Sequence, residues 1–230
     1  MGYIVDGLVQ AVNMLVSLNP EVVGIASLSL QVSGIATLLA AAVGIPAGVL
    51  IALNEFPLKR ALRSLINTLM GVPPVVVGLF VFLMVSRAGP LGSFGVLFTP
   101  TAMIAAQFIL VTPIVTGLTI AAAGAVDRSV IETAISLGAK RYETMLLVIN
   151  EARQALVVAT IAGFGRAIAE VGAVMIVGGD IRWSTRVLTT AIMLETSRGD
   201  YSLAIALGLI LLAVAFVINL AISYLQGGRR

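Results

Sequence analysis

Apolar residues run almost without interruption through five stretches of the chain, and the polar residues are collected between them. The five stretches are residues 25–53, 65–85, 101–125, 155–177 and 203–222. A helix of about 20 apolar residues is long enough to cross the hydrocarbon core of a bilayer. The pattern therefore predicts an all-α membrane protein, with five transmembrane helices in a single domain over residues 1–230.

Residues 3–18 follow a different pattern. Polar Asp6, Gln10, Asn13 and Ser17 recur at three- and four-residue spacing, which places them on one side of a helix and the apolar residues on the other. The segment is also short for a transmembrane span. We predict an amphipathic helix that lies in the membrane interface. The alternative is a short first span.

Two prolines, Pro73 and Pro74, interrupt the second apolar stretch. Proline has no backbone N–H, so the carbonyl groups one turn earlier must find other partners or line a cavity. The pair has two interpretations: a kink within the helix bundle, or a bend at the gate of a translocation pathway. The sequence leaves both open.

Composition supports the membrane interpretation. Hydrophobic residues make up 59% of the chain and charged residues only 11%, and the mean hydropathy is +1.09. So few charged side chains cannot cover a surface that is exposed to water. The chain contains no cysteine and no histidine, which excludes disulfides, thiolate metal sites and imidazole catalysis. We expect no metal and no cofactor in this chain, and no enzymatic activity.

Lysine and arginine are concentrated on one side of the predicted arrangement. Nine of the 14 lie in the loop after the first stretch, within residues 127–153 and at the C-terminus. Four lie in the other loops, and Arg166 lies within the fourth stretch. Because cytoplasmic loops carry the excess of Lys and Arg, residues 127–153 and the C-terminus are predicted to lie inside the cell and the N-terminus outside.

Residues 127–153 form the one long polar segment between two apolar stretches. Ser129 and Glu132 have the spacing of a capping box at the start of a helix. The apolar residues that follow recur at four-residue spacing, as on one face of a helix. Gly138 can adopt the left-handed conformation that ends a helix, and a second periodic run opens at Lys140. We predict a helix, a sharp turn and a second helix at the membrane surface.

The same segment resembles the cytoplasmic loop of permease subunits of binding-protein-dependent ABC importers. That loop reads Glu-Ala-Ala, three residues, Gly, nine residues, then Ile-x-Leu-Pro. Here Glu-Thr-Ala at residues 132–134 is followed by three residues, Gly138, nine residues and Val148. Asn150 and Glu151 stand where the family has Leu and Pro.

The resemblance implies a type I importer permease bundle that pairs with a second copy of itself and with two ABC ATPase subunits. ATP and Mg²⁺ would be bound by the ATPase, since this chain has no phosphate-binding lysine motif. An extracellular binding protein would deliver the substrate. The residues implied to contact the ATPase are Glu132, Thr133, Ala134, Gly138, Ala139, Lys140 and Arg141.

Further segments are similar to permeases of molybdate and tungstate importers. These are residues 71–78, 87–92 and 164–173, while residues 150–153, 184–192 and 195–199 are more like the tungstate branch. The implied substrate is an oxyanion of the tungstate and molybdate type. The alternatives are another small anion, such as sulfate, or a protein of a different class, a passive channel or secondary carrier. The latter would need no ATPase-docking segment, and the chain shows no inverted repeat.

Two pairs of charged residues are candidates for direct roles. Arg166 and Glu170 are four residues apart within the fourth stretch, where unpaired charges are costly. They form either a structural ion pair or a pathway element, in which Arg166 attracts a passing dianion and Glu170 prevents its trapping. Arg182 and Arg186 are predicted at the outer rim. They are either solvated or contact acidic residues of the binding protein.

Overall fold

The computed structural model describes residues 2–227, apart from the side chains of residues 2–4, 6, 7, 15, 226 and 227. Within that part of the chain, every regular element is helical, which confirms the all-α prediction. A short 3-10 turn occupies Gly92–Phe94. The α-helices are α1 (Gly2–Val16), α2 (Pro20–Leu53), α3 (Lys59–Met70), α4 (Pro74–Val85), α5 (Pro100–Gly124), α6 (Arg128–Ser136), α7 (Arg141–Glu151), α8 (Arg153–Ile168), α9 (Gly172–Gly178), α10 (Leu188–Arg198) and α11 (Tyr201–Gly227).

Three helices, α2, α5 and α11, are each long and apolar enough to cross a membrane. They correspond to the first, third and fifth predicted spans. The α2 helix begins five residues earlier than its apolar stretch, at Pro20. The Asn19 side chain caps this start by accepting a hydrogen bond from the Glu21 N–H, 2.9 Å away.

The second predicted span is two helices rather than one. The axes of α3 and α4 differ by 96°. Pro74 is the first residue of α4, a position where the missing N–H has no cost because the first turn of a helix makes no bond through it. The proline pair therefore ends one helix and starts another.

The fourth predicted span, residues 155–177, is also divided. The α8 helix ends at Ile168 and α9 begins at Gly172, so α8 has only 16 residues. The α8 helix also follows α7 at an angle of 73°. By length and composition the chain has three spans, or up to five if each bent pair, α3–α4 and α7–α8, counts as one. Five crossings stay a prediction.

The centre of the bundle is the pair α2 and α5, which lie close together because α2 presents glycine there. A Cβ atom added at Gly48 would lie 2.6 Å from the Thr119 Cβ, and one at Gly44 would lie 3.0 Å from the Thr116 hydroxyl. Small residues four apart on a membrane helix allow this close approach. Most of the other helices pack against α2, α5 or both.

The α1 helix packs against α11. Ala11 is fully buried, and Met14 packs on a cluster that includes Leu188 and Leu207. Val9 and Val16 are exposed, as expected for a helix that meets lipid on one side. The interfacial position of α1 stays a prediction, and the polar residue Asp6 is outside the described side chains.

Cysteine labelling tests the number of crossings, since the chain has no cysteine of its own. Ser93, Ser136 and Ser197 are exposed and lie before α5, at the end of α6 and near the end of α10. With five crossings, Ser93→Cys and Ser197→Cys should react with an impermeant maleimide in intact cells. Ser136→Cys should react only after permeabilisation. If Ser197→Cys instead labels like Ser136→Cys, α8 and α9 return to the side they came from, and the five-span prediction is wrong.

Candidate functional site

The predicted helix, turn and helix between residues 127 and 153 are present as α6, Gly138 and α7. Gly138 has φ of +88°, in the left-handed region. Its N–H donates to the Ile135 carbonyl at 2.9 Å, and the Ala139 N–H donates to the Ala134 carbonyl at 3.0 Å. These two bonds satisfy the last carbonyls of α6 and reverse the chain.

The predicted capping box at the start of α6 is wrong. Asp127 is the capping residue, because the helix begins at Arg128, and its carboxylate accepts a hydrogen bond from the Ser129 N–H at 2.9 Å. Glu132 is left exposed. A similar bond occurs at the start of α7, where a Glu143 carboxylate oxygen accepts from the Lys140 N–H at 2.6 Å. These hydrogen bonds lower the pKa of both capping carboxyls below their ordinary values.

One face of α6 and α7 is packed against the ends of the long helices. Ile131, Met145 and Val148 join a cluster with Val49 of α2 and Ala123 of α5, and Val148 is fully buried. Both short helices are thus fixed to the two helices at the centre of the bundle. This cluster is the contact through which α6 and α7 meet the ends of α2 and α5.

The opposite face carries four exposed apolar side chains, which we call the apolar patch. Leu137 is 84% exposed, Ile135 58%, Tyr142 58% and Leu146 56%. Beside them the space next to Gly138 is open, since a Cβ atom added there would meet nothing within 4 Å. Apolar side chains on a segment outside the apolar stretches mark a surface for a protein partner.

The residues implied to contact an ATPase surround this patch. Among them Ala134 and Ala139 are half-buried, and the exposed ones are Glu132, Thr133, Gly138, Lys140 and Arg141. The sequence pattern did not predict the patch, because the four-residue spacing of Ile131 and Ile135 indicated only that they share one face of a helix. Only Ile131 is packed, and Ile135 projects beyond the cluster. The signal in the sequence that could have indicated the patch was an apolar residue, Leu137, directly before the turn glycine.

Arg166 and Glu170 form the predicted ion pair, with 2.6 Å between a guanidinium nitrogen and a carboxylate oxygen. The pair lies across the break between α8 and α9. Glu170 is buried, and its other carboxylate oxygen accepts from the Ala173 N–H at 3.2 Å, at the start of α9. Its backbone carbonyl accepts from the Thr189 hydroxyl at 2.7 Å. Glu170 therefore has a clear structural role, whereas 39% of the Arg166 side chain is exposed.

The two helix breaks adjoin each other. A Cβ atom added at Gly172 would lie 2.6 Å from a Val75 methyl group, and one at Gly78 would lie 2.6 Å from the Ala173 Cα. The start of α4, after Pro73 and Pro74, is thus packed on the start of α9. The two bends are therefore in direct contact.

The structure separates Arg182 from Arg186. Arg186 is 6% exposed and lies among three carboxylates, at 3.0 Å from Glu195, 3.4 Å from Asp180 and 3.6 Å from Glu21. Both roles predicted for Arg186, a solvated charge and a contact with the binding protein, are therefore wrong, because its guanidinium is buried and paired with carboxylates of this chain. Arg182 is exposed; it forms two hydrogen bonds to the Glu21 carboxylate.

Three comparisons with known proteins extend these observations. Residues 44–230 match the family described as binding-protein-dependent transport system inner membrane component. The tungstate uptake system permease protein TupB of Peptoclostridium acidaminophilum is 46% identical, over 98% of this chain and 99% of that protein. A probable anion ABC transporter permease protein of Haloferax volcanii is 45% identical, over 86% of this chain and 87% of its own length.

The fold is similar to that of a solved transporter. A chain of the MetNI methionine ABC transporter, in inward-facing conformations, superposes with a TM-score of 0.75 over 93% of this chain and 99% of that one. The sequence identity is 16%, so the similarity concerns the fold. It confirms the predicted importer-permease architecture.

We predict that Arg186 and Arg182 contribute differently to the free energy of unfolding. Arg186→Met should lower the free energy of unfolding by about 3–5 kcal/mol, because buried carboxylates would lose their common partner. Arg182→Met, the matched control, should lower it far less, because the ion pair of Arg182 is exposed to solvent. Thermal unfolding of the purified variants in one detergent measures both. Equal losses would contradict the buried network.

Proposed function

Because this chain belongs to the family of binding-protein-dependent transport system inner membrane components, we propose that it is the membrane-spanning subunit of an ATP-driven importer of tungstate or a similar oxyanion. The observation that carries the proposal is the segment of α6, Gly138 and α7. It has the family's motif spacing, one face packed on the spanning helices and the other face exposed.

The substrate assignment is supported by the 46% identity to a tungstate uptake permease along almost the whole of both chains. The alternative is another small anion, such as molybdate or sulfate. Selection among them would lie mainly in a separate binding protein, because the pathway need only admit a dianion. A passive channel or secondary carrier is disfavoured, since neither would need an exposed apolar patch beside the turn.

The proposed assembly contains a second copy of this chain, two ATPase subunits and an extracellular binding protein. The apolar patch and the exposed residues around Gly138 would contact the ATPase, which would hold ATP and Mg²⁺. Arg182 remains the candidate for contact with the binding protein, since it is exposed beside Trp183, with its guanidinium 5.6 Å from the centre of that ring. The proposed orientation places α6 and α7 in the cytoplasm and the N-terminus outside.

Coupling would follow from the packing of α6 and α7. Closure of the ATPase dimer would move the apolar patch, and the cluster around Val148 would transmit the movement to the ends of α2 and α5. The ATPase can shift the permease between outward and inward access only if its contacts differ between the two states. The adjoining breaks at Pro73–Pro74 and at Glu170 are the proposed points of bending, with Arg166 facing the anion.

Substitution of Gly138 tests the coupling role. Gly138→Val should abolish most ATPase binding and transport while leaving the amount of protein in the membrane unchanged. A β-branched residue is strained at a φ of +88°, and left-handed backbone costs roughly 1–2 kcal/mol for non-glycine residues in general. Gly138→Asn is the control, because asparagine tolerates this conformation and the space beside it is open. Co-purification of the ATPase measures the effect, and normal co-purification with Gly138→Val would refute the proposed contact.

A neutral replacement of the ion pair tests the pathway role of Arg166. In the double variant Arg166→Met with Glu170→Gln, the glutamine oxygen can still accept from the Ala173 N–H, and no buried charge is left unpaired. We expect this variant to assemble and to show stimulated ATPase activity, with at least tenfold slower oxyanion uptake. Arg166→Lys should be intermediate, because it keeps the charge and loses the forked donor geometry. Uptake at the wild-type rate by the double variant would leave the pair as scaffold only.

A further inference from the structure

A second charged site lies where α3 and α6 begin. A cavity of about 730 Å³ opens between the ends of α2 and α5 and the starts of these two helices. We call it the basic cavity. Four of its lining residues are cations and one is a carboxylate: Lys59, Arg60, Arg63, Arg128 and Glu55.

The described side chains of the basic cavity carry an excess of positive charge. Lys59 and Glu55 form an ion pair, with 2.7 Å between the ammonium nitrogen and a carboxylate oxygen. None of the ion pairs among the described side chains involves Arg60, Arg63 or Arg128. The hydrogen bond from Lys59 lowers the pKa of Glu55, and the positive charges of Arg63 and Arg128 lower it further. Four cations and one carboxylate therefore leave three positive charges in excess.

One donor beside the cavity has no acceptor. The Nε atom of Arg63 is enclosed and has no hydrogen-bond partner among the residues that the structure describes. An enclosed donor without a partner is unfavourable by about 1–3 kcal/mol in general. The start of α3 at Lys59 also has no capping side chain. An oxyanion in the cavity would be attracted by the guanidinium groups of Arg60, Arg63 and Arg128 and by the N-terminal end of α3.

The position of the cavity indicates which anion it receives. The apolar helices α2 and α5 end at Leu53 and Gly124, which both line the cavity. Its charged part therefore lies at the level of lipid headgroups, and its wall continues along apolar side chains, including Leu53 and Phe56. The cavity is on the same side of the membrane as α6, where Lys and Arg are in excess and anionic lipids attract such clusters.

We infer that the basic cavity binds the phosphate headgroup of an acidic phospholipid in the cytoplasmic leaflet. The ATPase is a less suitable occupant, because the apolar patch begins at the opposite end of α6. Arg128 is the first residue of that helix and Ile135 is near its last, roughly 10 Å apart at 1.5 Å per residue. A bound lipid joins the start of α3 to the start of α6. It thereby connects the bent pair α3–α4 to the proposed coupling segment.

Lipid retention by the full-length chain tests this inference. The purified protein is exchanged into micelles that contain equal amounts of phosphatidylglycerol and phosphatidylcholine, and bound lipid is counted by native mass spectrometry. The wild type should retain phosphatidylglycerol in preference. Arg60→Gln with Arg63→Gln should retain it more weakly, by roughly fivefold for each cation removed. If the double variant does not fold, Arg128→Gln takes its place, because Arg128 is exposed. This variant should retain phosphatidylglycerol roughly fivefold more weakly than the wild type.

Arg153→Gln is the matched control, since Arg153 is exposed on the same side of the chain and is not part of the basic cavity. It should retain phosphatidylglycerol like the wild type. Unchanged retention in both cavity variants, or an equal loss in the control, would overturn the inference. Displacement of the lipid by millimolar inorganic phosphate would assign the site to a free anion instead. Loss of ATPase co-purification with unchanged lipid would assign it to the ATPase, and either result would reject a lipid site.

Discussion

A helix that breaks inside a membrane leaves backbone groups that lipid cannot satisfy, and the bundle is arranged around one such break. At the gap between α8 and α9, the Glu170 carboxylate accepts from the Ala173 N–H, and its carbonyl accepts from Thr189. The side-chain amide of Gln107 on α5 donates to the Ala167 carbonyl at 3.1 Å. Residues from two other segments, α5 and α10, therefore bind the backbone at the break, beside the contact of α9 with α4.

The same break places the guanidinium of Arg166 within the bundle, where it is paired with Glu170. Arg166 is bound by a carboxylate that is itself fixed by backbone contacts, so its guanidinium is oriented while part of it stays exposed. A pathway for a dianion needs positive potential that does not trap the ion. A cation that is partly neutralised by a rigid neighbour meets that requirement better than a free one. Structure and proposed transport role thus depend on the same pair.

The arginines of this chain act in three physical settings. Arg186 is buried among carboxylates and joins α10 to the start of α2. Arg182 is exposed and paired with Glu21, which leaves it accessible to a partner. Arg60 and Arg63 lie in the basic cavity, together with Arg128, and none of them forms an ion pair among the described side chains. The environment that packing creates, rather than residue type, separates these roles.

The spacing of residues close together in the sequence was sufficient to predict much of the fold and part of the candidate site. Runs of apolar residues predicted the all-α membrane class and the helices α2, α5 and α11, because a bilayer requires about 20 apolar residues whatever their neighbours. The left-handed turn at Gly138 and the pair of Arg166 with Glu170 also followed from spacing, since both involve residues at most four apart. The motif around residues 132–138 was enough to indicate the family.

Contacts between residues far apart in the sequence decided the features that could not be predicted from it. The burial of Arg186 depends on Glu21, which precedes it by 165 positions, and the basic cavity joins residues 55–63 to Arg128. The angle at Pro74 depends on what α4 packs against, so the prolines alone indicated a bend but not its size. The sequence by itself determined that the chain is helical and which three long helices are apolar enough to cross a membrane, because those properties are set by residues near one another in the chain. Only the tertiary structure decided which charges are neutralised and which remain available, because the electrostatic environment of a side chain is set by all the elements that surround it.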